Sequence, residues 1–220
     1  YWTREQCERL QTSVQIHVAE TRYEVQEIAE RAGTTPLRYL DRFGLVDHHL
    51  TAVHCVHMTE QDLDLLERRK VVPVHNPKSN MKLGSGIAPV AEMLRRGIPV
   101  ALGTDGSASN DLQDMFEEMR FAALLQKVAA QDPSVISAQD VFRMATENGA
   151  KAARIDTGTL DPGRLAGAVH RVLRVGQTAA YLFGHWSQSS PSLHGGGQGD
   201  PGLLHGQAGR PDDQGDGSAQ

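Results

Sequence analysis

Over its first 153 residues the chain alternates short apolar, β-branched runs with longer stretches whose apolar positions recur every three or four residues. The first pattern is typical of buried strands, and the second of helices that pack on one face. Strands are predicted at residues 14–20, 51–58, 71–77 and 99–103. Helices are predicted at residues 1–11, 22–32, 37–43, 60–69, 88–96, 110–130 and 138–153.

Local signals set the ends of these helices. Thr59 and Ser137 are predicted N-caps, because a hydroxyl oxygen can accept a hydrogen bond from a free N–H of the first turn. Gly33 suits a helix C-terminus. Residues 78–85, KSNMKLGS, are polar and are predicted to form a loop. Three polar residues are predicted to cap the long helix: Ser107, Ser109 and Asn110.

The alternation of strand and helix predicts an α/β fold. Strands separated by helices are expected to pair in parallel through right-handed crossovers. Four such units suit either half of a (β/α)8 barrel or a small doubly wound sheet. Periodicity does not choose between these two architectures.

The character of the chain changes after Thr157. Fourteen of the 22 glycines follow that residue, and the last thirty residues contain almost no aliphatic side chains. Such a composition buries too little apolar area to offset the conformational entropy of the chain. Residues 1–156 are therefore predicted to form the α/β part, and residues 157–220 an irregular tail that is disordered from about Ser187.

Charge and composition exclude several classes of function. The net charge is −5 and no block of Lys and Arg occurs, which disfavours a nucleic-acid partner. No apolar run approaches the eighteen residues that a membrane-spanning helix needs. The two cysteines form no disulfide framework. These features predict a cytoplasmic protein with neither a nucleic-acid nor a membrane partner, and they leave a homo-oligomer open.

Polar residues that can do chemistry stand at the ends of the predicted strands. Asp105 follows the fourth strand, and burial of a carboxylate there is costly unless a cation or several donors compensate it. Asp105 is therefore either a metal ligand or a turn aspartate. His17 and Glu20 lie at the end of the first strand, where an imidazole can bind a metal and a carboxylate can shuttle a proton. The alternative is a core histidine and a solvated glutamate.

The second and third strands contribute further histidines. His54 and His57 lie on opposite faces of one strand, so that at most one of them points to the site, and the spacing does not decide which. His75 ends the third strand and is expected to pack or to hydrogen-bond locally. Zinc normally takes about three protein ligands, and the residues alone supply two good ones, His17 and Asp105.

Taken in order, the motifs at these strand ends closely resemble the amidohydrolase superfamily. Within it they are most similar to the 5-methylthioadenosine/S-adenosylhomocysteine deaminases, with triazine chlorohydrolases and guanine deaminases as relatives. The resemblance spans about residues 14–163. It rests on HVAE at 17–20, AVHCVH at 52–57, HNPKSNMKL at 75–83, SGI at 85–87, LGTDG at 102–106 and DMFEEM at 114–119.

The resemblance implies a (β/α)8 barrel of which this chain supplies strands five to eight. It implies that His17 is a metal ligand and that Glu20 passes a proton to the ring nitrogen of the substrate. It implies that His54 holds and polarises the attacking water, and that Asp105 is both metal ligand and general base. The implied cofactor is a divalent metal, zinc or iron. The implied reaction is hydrolytic deamination of an adenosine-type purine nucleoside.

The sequence departs from the family pattern in two places. The family begins with a His-x-His pair on strand one, and the chain contains no such pair. The chain is therefore read as a C-terminal fragment that is inactive by itself. After Ala166 the family's apolar strand is replaced by a Gly-rich run, which predicts a frame shift. Three alternatives stay open: a triazine-type chlorohydrolase, a guanine deaminase relative, or a catalytically inactive barrel half that binds a partner.

Overall fold

The computed structural model describes residues 2–165 together with two later strands at 169–174 and 177–182. Within residues 2–165, four strands form one parallel sheet in sequence order. They are β1 (Val14–Val18), β2 (Leu50–His54), β3 (Val72–His75) and β4 (Ala101–Leu102). The prediction of a parallel α/β fold is confirmed. Because the strands run in one direction, their carboxyl ends lie along a single edge of the sheet.

Helices precede, connect and follow these strands. They are α1 (Trp2–Leu10), α2 (Arg22–Ala32), α3 (Pro36–Asp41), α4 (Glu60–Arg69), α5 (Pro77–Lys82), α6 (Val90–Arg95), α7 (Ser107–Asn110), α8 (Met115–Ala130), α9 (Ala138–Ala145) and α10 (Glu147–Ala153). Thr59 and Ser137 cap α4 and α9 through reciprocal hydrogen bonds with Asp62 and Asp140. Gly33 ends α2 in the left-handed conformation, with φ of 63°. These three capping predictions are confirmed.

The structure corrects the prediction of a loop at residues 78–85. Residues 77–82 form helix α5, with Pro77 in the first turn. Proline is well suited to that position, because its fixed φ is helical and its missing N–H would have no partner within the helix. Ser79 and Asn80 are consequently held in a regular turn and are fully buried.

The prediction for the long helix was wrong at its start. Helix α8 begins at Met115, and Asp114 is its N-cap, accepting a hydrogen bond from the backbone N–H of Phe116. The three residues that were expected to cap it form the separate one-turn helix α7. Asp111, with a left-handed φ of 72°, interrupts the helical backbone between α7 and α8.

The predicted helix at 138–153 is two helices. Thr146 separates α9 from α10, with φ of −119° and ψ of −88°, which lie outside the helical region. The side-chain hydroxyl of Thr146 donates to the carbonyl oxygen of Phe142, one turn earlier. Such local hydrogen bonding is one reason why threonine is a weak helix former.

The core lies between the sheet and the helices. All five residues of β2 are buried, as expected for a parallel strand covered on both faces. Four of the largest fully buried side chains come from the helices: Leu37, Leu66, Met93 and Met144. They hold the helices against the sheet and thereby fix the strand ends. None of the helices in the described part of the chain is long and apolar enough to cross a membrane.

Strands Val169–Arg174 (β5) and Gln177–Leu182 (β6) pair antiparallel. They lie in the region where an irregular tail was predicted. Two six-residue strands give little periodic signal inside a Gly-rich stretch, which explains why the sequence pattern did not reveal them. The predicted disorder from Ser187 falls outside the described residues, and the division at residue 157 stays a prediction.

Candidate metal centre

Sharp turns at the carboxyl ends of the strands place the candidate residues. Ala19 after β1, His54 at the end of β2 and Asp105 after β4 all have left-handed backbone conformations, with φ of 50°, 70° and 58°. Residues other than glycine adopt this conformation at a cost, and such positions cluster at functional sites. The turns are held in place by backbone hydrogen bonds, among them Cys55 N–H to the Val18 carbonyl at 3.1 Å.

These turns bring together the four residues singled out in the sequence. His17, His54 and Asp105 each offer a ligand atom, and the three atoms lie within 4.8 Å of one another. The rings of His17 and His54 meet edge to face with centroids 4.9 Å apart. His54 Nε2 lies 3.7 Å from Glu20 Oε2 and 3.9 Å from Asp105 Oδ2. Four positions spread over 89 residues of sequence therefore form one cluster.

The surroundings of Asp105 favour the ionised form of its carboxyl group. Burial raises its pKa, but hydrogen bonds from the Ser79 hydroxyl, the Gly106 backbone and Ser109, with the nearby His54 imidazole, outweigh burial and lower the pKa overall. Ser79 Oγ lies 2.6 Å from Asp105 Oδ2. A carboxylate kept ionised in this way can bind a cation or accept a proton.

The cluster has the donor chemistry of a zinc site. Two imidazoles and one carboxylate are common zinc ligands, and a site with about three protein ligands keeps a position for water. His54 is 1% exposed, and its Nε2 has no hydrogen-bond partner among the described residues. A buried nitrogen of this kind is costly unless a cation, a proton or water satisfies it. The residues present therefore fit a divalent metal that His17 and Asp105 would hold, with His54 Nε2 facing the same space from the buried side.

The structure distinguishes between His54 and His57. His54 faces the cluster, whereas His57 Nε2 lies 2.9 Å from the Ser85 carbonyl oxygen and so bonds away from it. His75 is 1% exposed, and burial and the neighbouring His54 lower its pKa to about 3. It is neutral at physiological pH. Neither of its ring nitrogens has a hydrogen-bond partner within the part of the chain that the structure describes, so the predicted local hydrogen bond is not present there.

Sequence reasoning missed the supporting residues. Ser79 and Asn80 lie on α5 and bond to Asp105 and His54, at 2.6 Å and 2.9 Å. Ser85 donates to Glu20 Oε1 at 3.3 Å. The sequence pattern placed these three residues only in a predicted loop at residues 78–85. The helix-favouring Pro77 directly after a strand was the signal that could have placed them.

A buried carboxylate supports the turn after β4 from outside the cluster. Glu118 on α8 is fully buried, and burial raises its pKa against the hydrogen bonds that it accepts. Its two oxygens accept from Asn110 Nδ2 at 2.5 Å and from the Lys78 backbone N–H at 3.2 Å. Asn110 Nδ2 also donates to the Thr104 carbonyl oxygen at 2.6 Å. Glu118 thus links α8 to helix α5, which follows β3, and to helix α7, which follows Asp105.

A pocket opens beside the cluster. It has a volume of about 380 Å³ and is lined by Thr21, Arg22, His57 and residues 83–86. Glu20 directly precedes Thr21 in the sequence, and its Oε1 accepts a hydrogen bond from the lining residue Ser85. A volume of this order accommodates a ligand of nucleoside size.

A second group of donors lies before β2, at the amino ends of the strands. Ligand atoms of Asp47, His48 and His49 also come within 4.8 Å of one another. Asp47 is already paired there, since His49 Nδ1 lies 3.4 Å and Arg4 Nε 3.9 Å from its carboxylate oxygens. Asp47 Oδ1 also accepts from the His49 backbone N–H at 2.8 Å, so the carboxylate already has local partners.

Comparison with known proteins agrees with the geometry. The model of the amidohydrolase family matches residues 1–171. A 5'-deoxyadenosine deaminase of Methanothermobacter thermautotrophicus is 51% identical over 156 residues, which are 71% of this chain and 36% of the relative. A 5-methylthioadenosine/S-adenosylhomocysteine deaminase of Thermococcus sibiricus is 45% identical over 168 residues, 76% of this chain and 40% of the relative.

A solved structure is similar over the same region. It is an adenosine deaminase from Xanthomonas campestris with bound zinc, 40% identical, with a TM-score of 0.73, and the match covers 76% of this chain and 38% of that one. The chain therefore spans well under half of the length of these relatives.

Proposed function

Because the chain belongs to the amidohydrolase family, we propose that the protein it represents is a metal-dependent deaminase of adenosine-type nucleosides. The observation that carries this proposal is the meeting of His17, Glu20, His54 and Asp105 at one edge of the sheet. Relatives that are 45–51% identical and are named as deaminases of such nucleosides support the substrate class.

In the proposed arrangement, β1 to β4 are strands five to eight of a (β/α)8 barrel. The share of the relatives' length that this chain spans, 36% and 40%, supports this placement. The first metal ligands would then come from strand one. His17 and Asp105 are the proposed ligands from this part of the chain, with zinc as the proposed metal and iron as the alternative.

The bound metal would supply a water molecule with a lowered pKa. Asp105 accepts a proton from that water, and the hydrogen bond from Ser79 fixes the direction of its Oδ2. His54 Nε2, which is buried without a partner among the described residues, holds and orients the oxygen during attack.

Glu20 is the proposed proton donor to the purine ring. Its carboxylate oxygens lie 3.7 Å from His54 Nε2 and 3.3 Å from the Oγ of Ser85, which lines the pocket. In the proposed reaction Glu20 donates a proton to the ring nitrogen next to the carbon under attack. The amino group leaves as ammonia with the proton that Asp105 received. The remaining proton of the attacking water passes from the new C–OH group to Glu20, which regains the proton that it gave to the ring. One water is consumed, the exocyclic C–N bond breaks and a C–O bond forms, so that atoms and charge balance.

The pocket beside Glu20 is the proposed place for the sugar and its 5' substituent. Arg22, Thr21 and His57 give it polar groups, and Leu83 an apolar one. Such a lining suits a ribose that carries a sulfur-linked group better than it suits a flat triazine.

Metal analysis and ammonia release, measured on the complete gene product, test the proposal. The protein is expected to bind zinc or iron and to release ammonia from 5'-deoxyadenosine, 5-methylthioadenosine or S-adenosylhomocysteine. Ammonia from guanine or chloride from atrazine, in place of these activities, would favour the alternative hydrolases. Absence of both metal and ammonia would favour an inactive partner-binding protein and contradict the proposal.

A further inference from the structure

His54 is held by a single side-chain hydrogen bond among the described residues. Its Nδ1 lies 2.9 Å from Asn80 Oδ1, and both side chains are buried. The other ring nitrogen, Nε2, faces the carboxylates of Glu20 and Asp105 at 3.7 and 3.9 Å. The orientation of the imidazole in the cluster therefore depends on Asn80.

Asn80 is fixed in its own place by the backbone around it. Its N–H donates to the Asn76 carbonyl oxygen at 3.0 Å, and its carbonyl oxygen accepts from the Ser85 N–H at 2.9 Å. The residue is 0% exposed on helix α5, so water does not compete for its amide. These bonds fix the backbone of Asn80, and its side-chain Oδ1 faces His54 while Nδ2 has no hydrogen-bond partner among the described residues.

The chemistry of the pair sets the proton on the ring. An amide oxygen only accepts hydrogen bonds, so the imidazole nitrogen that faces it must carry the hydrogen. The other nitrogen of a neutral imidazole is then an acceptor. We propose that Asn80 is a positioning residue that locks neutral His54 in the Nδ1–H tautomer, so that Nε2 presents a lone pair to the catalytic cluster.

This inference rests on the proposed function for its catalytic consequence, but not for its structural content. In the proposed reaction His54 Nε2 receives a hydrogen bond from the attacking water, and the other tautomer would present an N–H there instead. Loss of the lock is then expected to slow the chemical step without weakening substrate binding. Hydrogen bonds that orient a catalytic imidazole typically contribute about 10- to 100-fold to activity.

The reverse arrangement is chemically distinct and measurable. If the amide of Asn80 were turned to present its NH₂ group to His54, Nδ1 would accept and Nε2 would carry the hydrogen. Nε2 would then donate to Glu20 or Asp105. The tautomer of His54 therefore tests the proposal directly.

Nuclear magnetic resonance of the complete, metal-free protein labelled with ¹⁵N-histidine identifies the tautomer of His54. Long-range proton–nitrogen correlations at about pH 8, where free imidazole is neutral, identify which ring nitrogen is protonated. The His54 signals are assigned by their absence from the His54→Gln variant. The wild type is expected to show Nδ1–H, and an Nε2–H spectrum would overturn the proposal.

Two variants and one control separate positioning from general damage. Asn80→Asp keeps an acceptor oxygen and is expected to keep the Nδ1–H tautomer, whereas Asn80→Leu is expected to give a mixture of tautomers. Asn148→Leu removes a similarly buried amide, one that donates to the Val100 carbonyl oxygen, and is expected to leave the His54 spectrum unchanged.

Kinetics on the metal-loaded protein complete the test. Asn80→Leu is expected to lower kcat about 10- to 100-fold at unchanged KM, and Asn80→Asp to restore most of that loss. An Asn80→Leu protein with the wild-type tautomer and kcat would overturn the proposal. If the wild type releases no ammonia, the proposed function fails, and the spectra alone decide the role of Asn80.

Discussion

Ser79 on α5 donates its hydroxyl hydrogen to Asp105 Oδ2 across 2.6 Å, and so joins the helix after β3 to the turn after β4. Ser79 is fully buried, and Asp105 is held in the left-handed conformation with φ of 58°. The hydroxyl both lowers the pKa of the carboxyl group and fixes the direction of its second oxygen. The geometry of Asp105, a proposed metal ligand, thus depends on a residue from a different strand–helix unit.

Replacement Ser79→Ala is expected to weaken metal binding. The variant loses the hydrogen bond that orients Asp105 and lets the carboxyl pKa rise, and losses of this kind cost about 10-fold or more in metal affinity. Zinc competition with a chromophoric chelator measures the affinity. Ser134→Ala, which removes a hydroxyl bonded to exposed Asp132, is the matched control and is expected to bind as the wild type does. Equal affinities for Ser79→Ala and the control would contradict this role.

Glu118→Ala is expected to destabilise the protein by about 3 kcal/mol, because it removes a buried acceptor shared by two N–H donors and opens a void. The donors are Asn110 Nδ2 and the Lys78 N–H. Its neighbour provides the control, since Glu117 pairs with the Lys78 ammonium group but remains partly exposed. Glu117→Ala is expected to cost about 1 kcal/mol or less. Urea unfolding measures both, and equal losses would mean that Glu118 has no special structural role.

Gly103→Ala is expected to disturb the sheet next to the site. A Cβ at this position would lie 2.8 Å from Val74 Cγ1 and 3.0 Å from Asn76 Nδ2, so these two buried side chains would have to shift. The expected loss is about 1–3 kcal/mol. Gly149→Ala in helix α10 is the opposite case, since its Cβ would meet only the Met144 carbonyl oxygen at 3.8 Å. That variant is expected to gain about 0.5–1 kcal/mol. Thermal unfolding of both variants checks the contrast in sign.

His75 is expected to give the protein an acid-sensitive stability. Its pKa is about 3 in the folded protein, through burial and then the nearby His54, against an ordinary value of 6.5. Below pH 6.5 the His75 imidazole is protonated in the unfolded chain but stays neutral in the folded protein. Its contribution to the free energy of unfolding is therefore fully present above that pH and falls as the solution becomes more acidic. The loss between pH 7 and pH 5 from this one group is about 2 kcal/mol.

The variant His75→Asn isolates this contribution. Asparagine does not titrate, so the difference in unfolding free energy between pH 7 and pH 5 should shrink by about 2 kcal/mol relative to the wild type. Urea unfolding at the two pH values, with both proteins in the same metal state, provides the comparison. The same pH dependence in both proteins would show that His75 is not the group responsible.

The strand ends could be predicted from sequence, and with them the four cluster residues. A short apolar run that stops at a polar residue marks both a strand and its end, and parallel strands place such ends together. Glu20 was correctly expected on the turn, because the two-residue period of β1 puts it on the face opposite to His17. The choice between His54 and His57 was not available, since it depends on the left-handed φ of 70° at His54.

The supporting contacts could not be predicted, because each joins residues far apart in the sequence. Ser79 and Asp105 are 26 positions apart, as are His54 and Asn80. Spacing within one element reveals which residues share its face, but it does not reveal which residue of another helix reaches them. Helix α5 was moreover mistaken for a loop, because its side chains are polar although two of them are fully buried.

The central claim is that Asp105 and His17 hold a catalytic metal in a deaminase. Zinc bound per chain and ammonia released from 5-methylthioadenosine, measured together on the complete gene product and on Asp105→Asn, test it most directly. Asp132→Asn, at a surface carboxylate that accepts hydrogen bonds from Ser134, is the control. The account predicts that Asp105→Asn loses most of its zinc and at least about 100-fold in kcat, while the control keeps both. Full zinc content and full ammonia release in Asp105→Asn would contradict it.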